Sequence, residues 1–156
     1  MPMPAGFEEL RPSSSGGVSL WMLRMLGFGG ARVRVSAPSS VRLGETLEVA
    51  WHVERAPDAT IVTVTLVGAE VASRRTSART GISVVAERSE FCARPIDRRV
   101  CARGAEASGR GATEIPAELV PSLAGKLNQI VWAVAVDVSS STDTIVREEF
   151  PIEVRP

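Results

Sequence analysis

The chain has 156 residues, of which 44% are hydrophobic and 23% charged, and its 18 basic and 18 acidic side chains give no net charge at pH 7. This length suits one domain with a buried core, and the composition is too polar for an integral membrane protein. Zero net charge gives no overall attraction to nucleic acid or anionic lipid, although residues 71–111 carry nine basic residues against four acidic ones.

Residues 1–29 differ in composition from the rest of the chain. Prolines, serines and glycines dominate residues 1–17, which predicts a flexible tail. Residues 18–28 are mostly apolar but too few for a helix to cross a bilayer core of about 30 Å. They are interpreted either as a first strand or short helix packed on the domain, or as an exposed anchor for a protein partner, a second copy or a membrane surface. The candidate anchor side chains are Trp21, Met22, Met25, Leu26 and Phe28.

From residue 30 onward the sequence indicates a series of short strands. Apolar side chains recur at every second position in four segments, which places each set on one face of a strand. These inward rows are Val33 and Val35; Leu47, Val49, Trp51 and Val53; Val62, Val64 and Leu66; and Ile130, Trp132, Val134, Val136 and Val138. Strands at such short intervals, without a long helical pattern, predict an all-β, immunoglobulin-like antiparallel sandwich of seven or eight strands over residues 30–156.

The segments between these strands carry further predictions. A Pro-Asp turn at residues 56–59 predicts a hairpin of the strands on either side. Residues 115–125 contain two prolines and predict a loop that crosses between sheets, with one helical turn near its end. Residues 73–81 and 104–111 lack an apolar period and predict exposed loops.

Cys92 and Cys101 flank a segment that suggests a hairpin centred near Ile96 and Asp97. Such a hairpin would permit a cross-strand disulfide, while two reduced, half-buried thiols are the preferred interpretation for a cytoplasmic protein. The cytoplasmic location is expected because the N-terminus lacks the basic start and apolar core of a secretory signal. Two cysteines and one histidine cannot fill a closed tetrahedral site, so no metal or other cofactor is expected.

The residues that commonly perform catalysis are not arranged for it. His52 is the single histidine, and its parity places it on the solvent side of its strand without a nucleophile or an orienting partner in sequence. Glu148 and Glu149 are neighbours and therefore point to opposite faces of a strand. We expect a protein that is not an enzyme.

The arginines of the basic segment are the remaining candidate site. If two arginine-bearing loops meet in space, bidentate contacts could hold phosphate or carboxylate groups of a partner. The alternative is a solvated rim partly neutralised by nearby acidic residues. The arginines are Arg74, Arg75 and Arg79 on one loop, and Arg94, Arg98, Arg99 and Arg103 on the adjoining hairpin. Nucleic acid is not an expected partner, because tyrosine is absent and the tryptophans fall at positions that face the predicted core. No aromatic platform is therefore left for base stacking.

An ordered set of features resembles arrestin-like sandwich domains. A Gly44-Glu45 step precedes an early alternating strand, and an Ile-Pro step at Ile115 precedes the long alternating strand that contains Trp132. The resemblance covers roughly residues 31–156. It implies a single-lobe arrestin-like sandwich, closer to the simpler bacterial members than to the receptor-binding ones.

The resemblance also implies a function. Arrestin-like proteins are non-catalytic adaptors that bind partner proteins through loops, concave sheet faces and exposed sheet edges. This chain has the length of one sandwich where many members have two, and no residues here can be assigned to the family's phosphate-sensing lysine pair or buried polar core. We therefore expect an adaptor or assembly subunit whose partner is a protein or a second copy. A peripheral membrane regulator anchored by residues 18–28 is the alternative.

Overall fold

The computed structural model describes residues 5–13, 32–54, 60–101, 106–139 and 144–156. These parts of the chain contain ten strands, which form two sheets. The strands are β1 (Glu8–Glu9), β2 (Arg32–Ala37), β3 (Ser40–Arg42), β4 (Thr46–Glu54), β5 (Thr60–Ala78), β6 (Gly81–Cys101), β7 (Ala107–Glu114), β8 (Leu123–Ala124), β9 (Asn128–Ser139) and β10 (Thr144–Arg155).

The two sheets pack face to face as a sandwich. The first sheet has the strand order β1-β2-β4-β7, and the second has the order β3-β10-β9-β5-β6 with β8 paired to the start of β9. The strand pairs are antiparallel except for β3 with β10. The all-β sandwich predicted from the sequence is confirmed.

The core lies between the sheets and contains the alternating apolar rows that the sequence predicts. In β4 buried residues alternate strictly with exposed or half-buried ones, because successive side chains of a strand point to opposite faces. In β9 the predicted row is buried from Trp132 to Val138, and Ile130 is half-buried. Burial of a large apolar side chain contributes about 1.5–3 kcal/mol, so these rows hold the two sheets together.

The hairpin predicted across residues 56–59 is wrong. β4 pairs with β2 and β7 in the first sheet, whereas β5 pairs with β6 and β9 in the second. The connecting residues 55–59 lie outside the described part of the chain. Alternation shows which side chains face the core, but both sheets offer an inner face, so the alternation cannot identify a strand's neighbour.

The loop predicted at residues 104–111 is also wrong where the structure describes it, because β7 occupies residues 107–114 and pairs with β4. Two of its inward positions are Gly109 and Gly111, and a Cβ atom there would overlap Trp51 and Ile96, respectively. Larger side chains from neighbouring strands thus fill this part of the core. β7 therefore lacks the apolar alternation that would have identified it as a strand.

Residues 115–122 cross from the first sheet to the second, as predicted. Ile115 is fully buried and its N–H donates a hydrogen bond to the carbonyl of Glu45 at 2.9 Å. The indole Nε1 of Trp132 donates to the carbonyl of Val120 at 3.0 Å. The helical turn predicted at the end of this loop is replaced by the short strand β8.

Part of the predicted N-terminal tail is instead attached to the sandwich. Glu8 and Glu9 pair with the end of β2, and Leu10 is 6% exposed. The N–H of Ser13 donates to the carbonyl of Glu149 at 2.7 Å. These residues therefore connect the edge of the first sheet to β10 of the second.

Candidate interaction surface

β5 and β6 form a hairpin that extends beyond the rest of its sheet. β5 pairs with β9 only as far as Ala72, whereas its pairing with β6 continues to Ala78. Residues 73–86 therefore form a two-stranded ribbon closed by a two-residue turn, called the distal ribbon below. The loop predicted at residues 73–81 is wrong, although the predicted exposure is confirmed. Both faces of this ribbon meet solvent, so its sequence has no apolar period.

The outer edge of β6 has no partner strand within the described part of the chain. Every side chain from residue 81 to 91 is exposed. The large aliphatic side chains Ile82, Val84 and Val85 are 76%, 66% and 46% exposed. The N–H and C=O groups on the outer side of such a strand are available to pair with another strand.

Only one half of this edge has the features that normally block edge-to-edge pairing. Register shifts leave Phe91 and Ile96 bulged out of the ladder with β5, and Pro95 between them has no N–H to donate. Residues 81–90 contain no bulge, proline or lysine. We call this unprotected stretch the open edge.

The charged side chains of the open edge bind neighbours on their own sheet. The three pairs are Glu87 with Arg74 at 3.7 Å, Arg88 with Glu149 at 2.8 and 2.9 Å, and Glu90 with Arg147 at 3.5 Å. These contacts direct the charges along the sheet surface. None of these contacts uses the backbone groups at the outer side of β6.

The ion pairs continue across the outer face of the second sheet. Asp137 lies 3.4 Å from Arg147, which also approaches Glu149 at 3.5 Å. Burial raises the pKa of the Asp137 carboxyl, and the nearby Arg147 guanidinium only partly opposes this effect. The hydrogen bonds that Arg88 donates to Glu149 raise the pKa of its guanidinium. The network spans β6, β9 and β10 and covers the sheet beside the open edge.

The structure does not bring the two predicted arginine groups together. Arg74 and Arg75 lie on β5 and Arg79 in the turn of the distal ribbon, while Arg94, Arg98 and Arg99 lie near the other end of β6. Arg94 pairs with Leu66, and Leu66 lies eight residues from Arg74 along β5. Arg94 and Arg74 are therefore roughly 27 Å apart. The predicted loop and hairpin that would have joined the two groups are both wrong. Arg103 lies outside the described residues.

The hairpin predicted near Ile96 is wrong because β6 continues through it as one strand. Cys92 and Cys101 therefore lie on the same strand, nine residues and roughly 30 Å apart. Both cysteines are free thiols, so the interpretation as reduced thiols is confirmed and a disulfide between them is wrong. Burial raises the pKa of both thiols, which disfavours the reactive thiolate.

Asp97 joins the two sheets instead of forming a hairpin tip. Its Oδ2 accepts a hydrogen bond from Nε1 of Trp51 at 2.8 Å, and its Oδ1 accepts from the backbone N–H of Arg98 at 2.9 Å. A Cβ atom at Gly109 would lie 2.5 Å from Asp97 Oδ2 and 2.7 Å from the Trp51 ring. This glycine therefore makes room for the contact that fixes β6 against the first sheet.

The predicted anchor side chains Trp21, Met22, Met25, Leu26 and Phe28 lie outside the described residues, so the anchor stays a prediction. Among the residues that are described, no helix has the length and hydropathy needed to cross a bilayer.

The single histidine lies where the sequence places it, on the solvent side of β4. Its Nε2 is 4.0 Å from Glu106, whose side chain is 73% exposed. Within the described ranges, no group of three or more His, Cys, Asp or Glu side chains could hold a metal ion. That the protein is not an enzyme stays a prediction.

The open edge is the feature that the sequence reasoning missed. Residues 82–92 belong to β6, and the position of this strand at the end of a sheet is not evident from the sequence. One signal was available. Charged residues follow Ile82, Val84 and Val85, and the segment has no continuous row of inward-facing apolar side chains. This pattern is typical of a strand exposed on both faces.

No protein-family model matches the chain, and no curated protein matches its sequence. Its fold is similar to the crystal structure of Spo0M, a sporulation control protein from Bacillus subtilis, with 15% identity and a TM-score of 0.57. The fold is arrestin-like. The match covers 82% of this chain and 50% of that chain, so this arrestin-like sandwich spans half the length of Spo0M. At this identity the likeness concerns the fold alone.

Proposed function

We propose that the protein is a non-enzymatic interaction domain that binds a protein partner by adding a strand to its open edge. The observation that carries this proposal is the long outer edge of β6, which has no partner strand among the described residues. It is exposed from residue 81 to 91 and unprotected up to residue 90. Strand addition uses main-chain hydrogen bonds for affinity and alternate side chains for specificity. Ile82 and Val84 supply such side chains on one face and Val85 on the other.

The arrangement of the charges supports strand addition over anion binding. The arginines predicted to bind phosphate or carboxylate are divided between the two ends of the β5–β6 hairpin, and Arg88 is already held by two hydrogen bonds to Glu149. The arrestin-like fold is also the scaffold that the sequence resemblance associates with adaptors. The proposed role is therefore that of an adaptor or assembly subunit.

The test compares three forms of the full chain as bait in an extract of its own cells, with mass spectrometry of the retained proteins. Val84→Lys places a charge on the open edge, while Val120→Lys makes the same change at a valine that is 51% exposed on the crossing loop. We expect the wild type and Val120→Lys to retain the same partner and Val84→Lys to lose it. Equal retention by all three forms would show that binding occurs elsewhere.

A further inference from the structure

We propose that the strand added to the open edge is the open edge of a second copy of this chain, paired antiparallel about a twofold axis at Val84. The inference rests on the proposed function, since it identifies the partner of the same surface. In this arrangement the second sheet of one copy continues into the second sheet of the other.

The distal ribbon itself indicates that another strand is required. A two-stranded ribbon is marginally stable in water, and three or more strands with an apolar face are needed for independent stability. Beyond Ala72 the ribbon has no third strand among the described residues, although Ile82 and Val84 expose aliphatic side chains on one of its faces. Pairing of two ribbons gives a four-stranded sheet in which these side chains have neighbours.

The twofold symmetry limits the possible registers. When the axis is perpendicular to the sheet, directly opposite residues share a face. The axis must therefore pass midway between a residue and the same residue of the second copy. An axis at Glu87 or at Arg88 would place like charges opposite each other, which is destabilising. An axis at Ala86 would place Val84 opposite Arg88.

The axis at Val84 pairs apolar side chains over a longer stretch of β6 than an axis at Ser83, which would pair only residues 81–85. An axis at Val85 would place Ile82 opposite Arg88. Val84 faces Val84 of the second copy, and Ile82 faces Ala86, so apolar residues pair on the face where both are exposed. Arg88 falls opposite Thr80, and Glu87 opposite Gly81, so no like charges meet. Within β6 the pairing spans residues 81–87, because the strand begins at Gly81, which lies opposite Glu87.

The charges of the edge are also compatible with a second copy. Residues 79–90 carry Arg79, Glu87, Arg88 and Glu90, which sum to no net charge. In this register Glu87 of one copy is the diagonal neighbour, two positions along, of Arg79 at the ribbon turn of the other, and the symmetry makes this contact twice. Two open edges therefore attract each other at their ends and do not repel along their length.

The test is a charge swap at the symmetry axis, followed by sedimentation velocity of the full chain. Val84→Lys and Val84→Glu each place like charges opposite each other, so each variant alone should dissociate at least about tenfold more readily than the wild type. An equimolar mixture should recover the dimer, because lysine then faces glutamate. Both variants should keep the far-UV spectrum and melting temperature of the wild type, since Val84 is 66% exposed.

The matched control is the same charge swap at Ile82, which is 76% exposed on the same face. Ile82 faces Ala86 in this register and lies four positions from Ile82 of the second copy. A mixture of Ile82→Lys and Ile82→Glu should therefore not recover the dimer. Recovery at Ile82 without recovery at Val84 would overturn the proposed axis.

A monomeric wild type would overturn the inference and leave the proposed function open to its own test. If the monomer still captures a foreign protein that Val84→Lys loses, the open edge binds another chain and the proposed function stands. If the monomer instead floats with phosphatidylserine vesicles through Arg74, Arg75 and Arg79, the ribbon contacts a membrane and both proposals fail. Slow hydrogen exchange of the open edge in a monomer would assign its partner to another segment of the same chain.

Discussion

At the scale of single residues, the hydrogen bond between Trp51 and Asp97 joins two strands that are 46 residues apart in sequence. Asp97→Ala would leave the indole N–H without its acceptor in a partly buried site, which costs about 1–3 kcal/mol. Asp97→Asn keeps one acceptor oxygen for the indole but loses the ion pair with Arg99 and the acceptor of the exposed Arg98 N–H. We therefore expect a cost of about 1 kcal/mol or less, smaller than that of Asp97→Ala. Urea unfolding of both variants checks this difference. Equal losses would show that the charge of Asp97, not the hydrogen bond, stabilises the contact.

Gly111 is a second position where a single atom decides stability. A Cβ atom there would overlap the backbone carbonyl of Ile96, and backbone cannot move aside as a flexible side chain can. We expect Gly111→Ala to lower the free energy of unfolding by about 2 kcal/mol or more, as overpacking commonly does. Ser108→Ala on the same strand is the control, because Ser108 is exposed and its change should be within about 0.5 kcal/mol. Similar stabilities of the two variants would contradict the close approach of β6 and β7.

Asp137 gives a pH dependence whose sign follows from its surroundings. Burial raises the pKa of its carboxyl in the folded chain, so the folded state binds a proton at a higher pH than the unfolded state does. The stability that this group contributes is therefore fully present below its unfolded pKa and is lost as the pH rises through the raised pKa. Asp137→Asn should match or exceed the wild type at neutral pH, by less than about 1 kcal/mol, and lose this advantage in acid. Denaturation at several pH values tests the trend, and an advantage that grows in acid would contradict it.

At the scale of elements, the distal ribbon should differ from the rest of its own hairpin. Residues 61–72 of β5 lie between two strands, whereas residues 73–78 pair with β6 alone among the described strands. Ser73 also donates a backbone hydrogen bond to Leu127. Backbone amides with few packed neighbours open locally and exchange with solvent more readily. We expect hydrogen exchange of the ribbon to be fast in dilute protein and to slow as the concentration rises, while residues 61–72 stay protected. Ribbon exchange that does not change with concentration would contradict self-pairing.

At the scale of the whole molecule, the stability should reside in the inner faces of the two sheets. Val134 is fully buried in β9, while Val100 near the end of β6 is 71% exposed. Removal of two methyl groups from the core costs roughly 2 kcal/mol or more, including the cavity left behind. We therefore expect Val134→Ala to lower the melting temperature clearly and Val100→Ala to change it little. Comparable shifts from these two matched changes would show that the sandwich core is elsewhere.

The elements predicted correctly are those with a local pattern in the sequence. The inward rows of β2, β4, β5 and β9 are read from alternation, because the direction of a side chain depends only on its position within its own strand. Alternation does not predict β7 or the distal ribbon, for two different reasons. In β7, Gly109 and Gly111 leave space for other side chains, and in the ribbon both faces meet solvent.

The sequence by itself determined the fold class and the core rows, since both follow from short-range patterns. Only the tertiary structure decided which strands pair, that Cys92 and Cys101 share one strand, and that the two arginine groups lie apart. It also placed β6 at the end of its sheet with residues 81–90 unprotected. Strand pairing joins residues far apart in sequence, and its main-chain hydrogen bonds are the same for every side chain except proline. A sheet edge therefore leaves little signal in the sequence until the whole chain has folded.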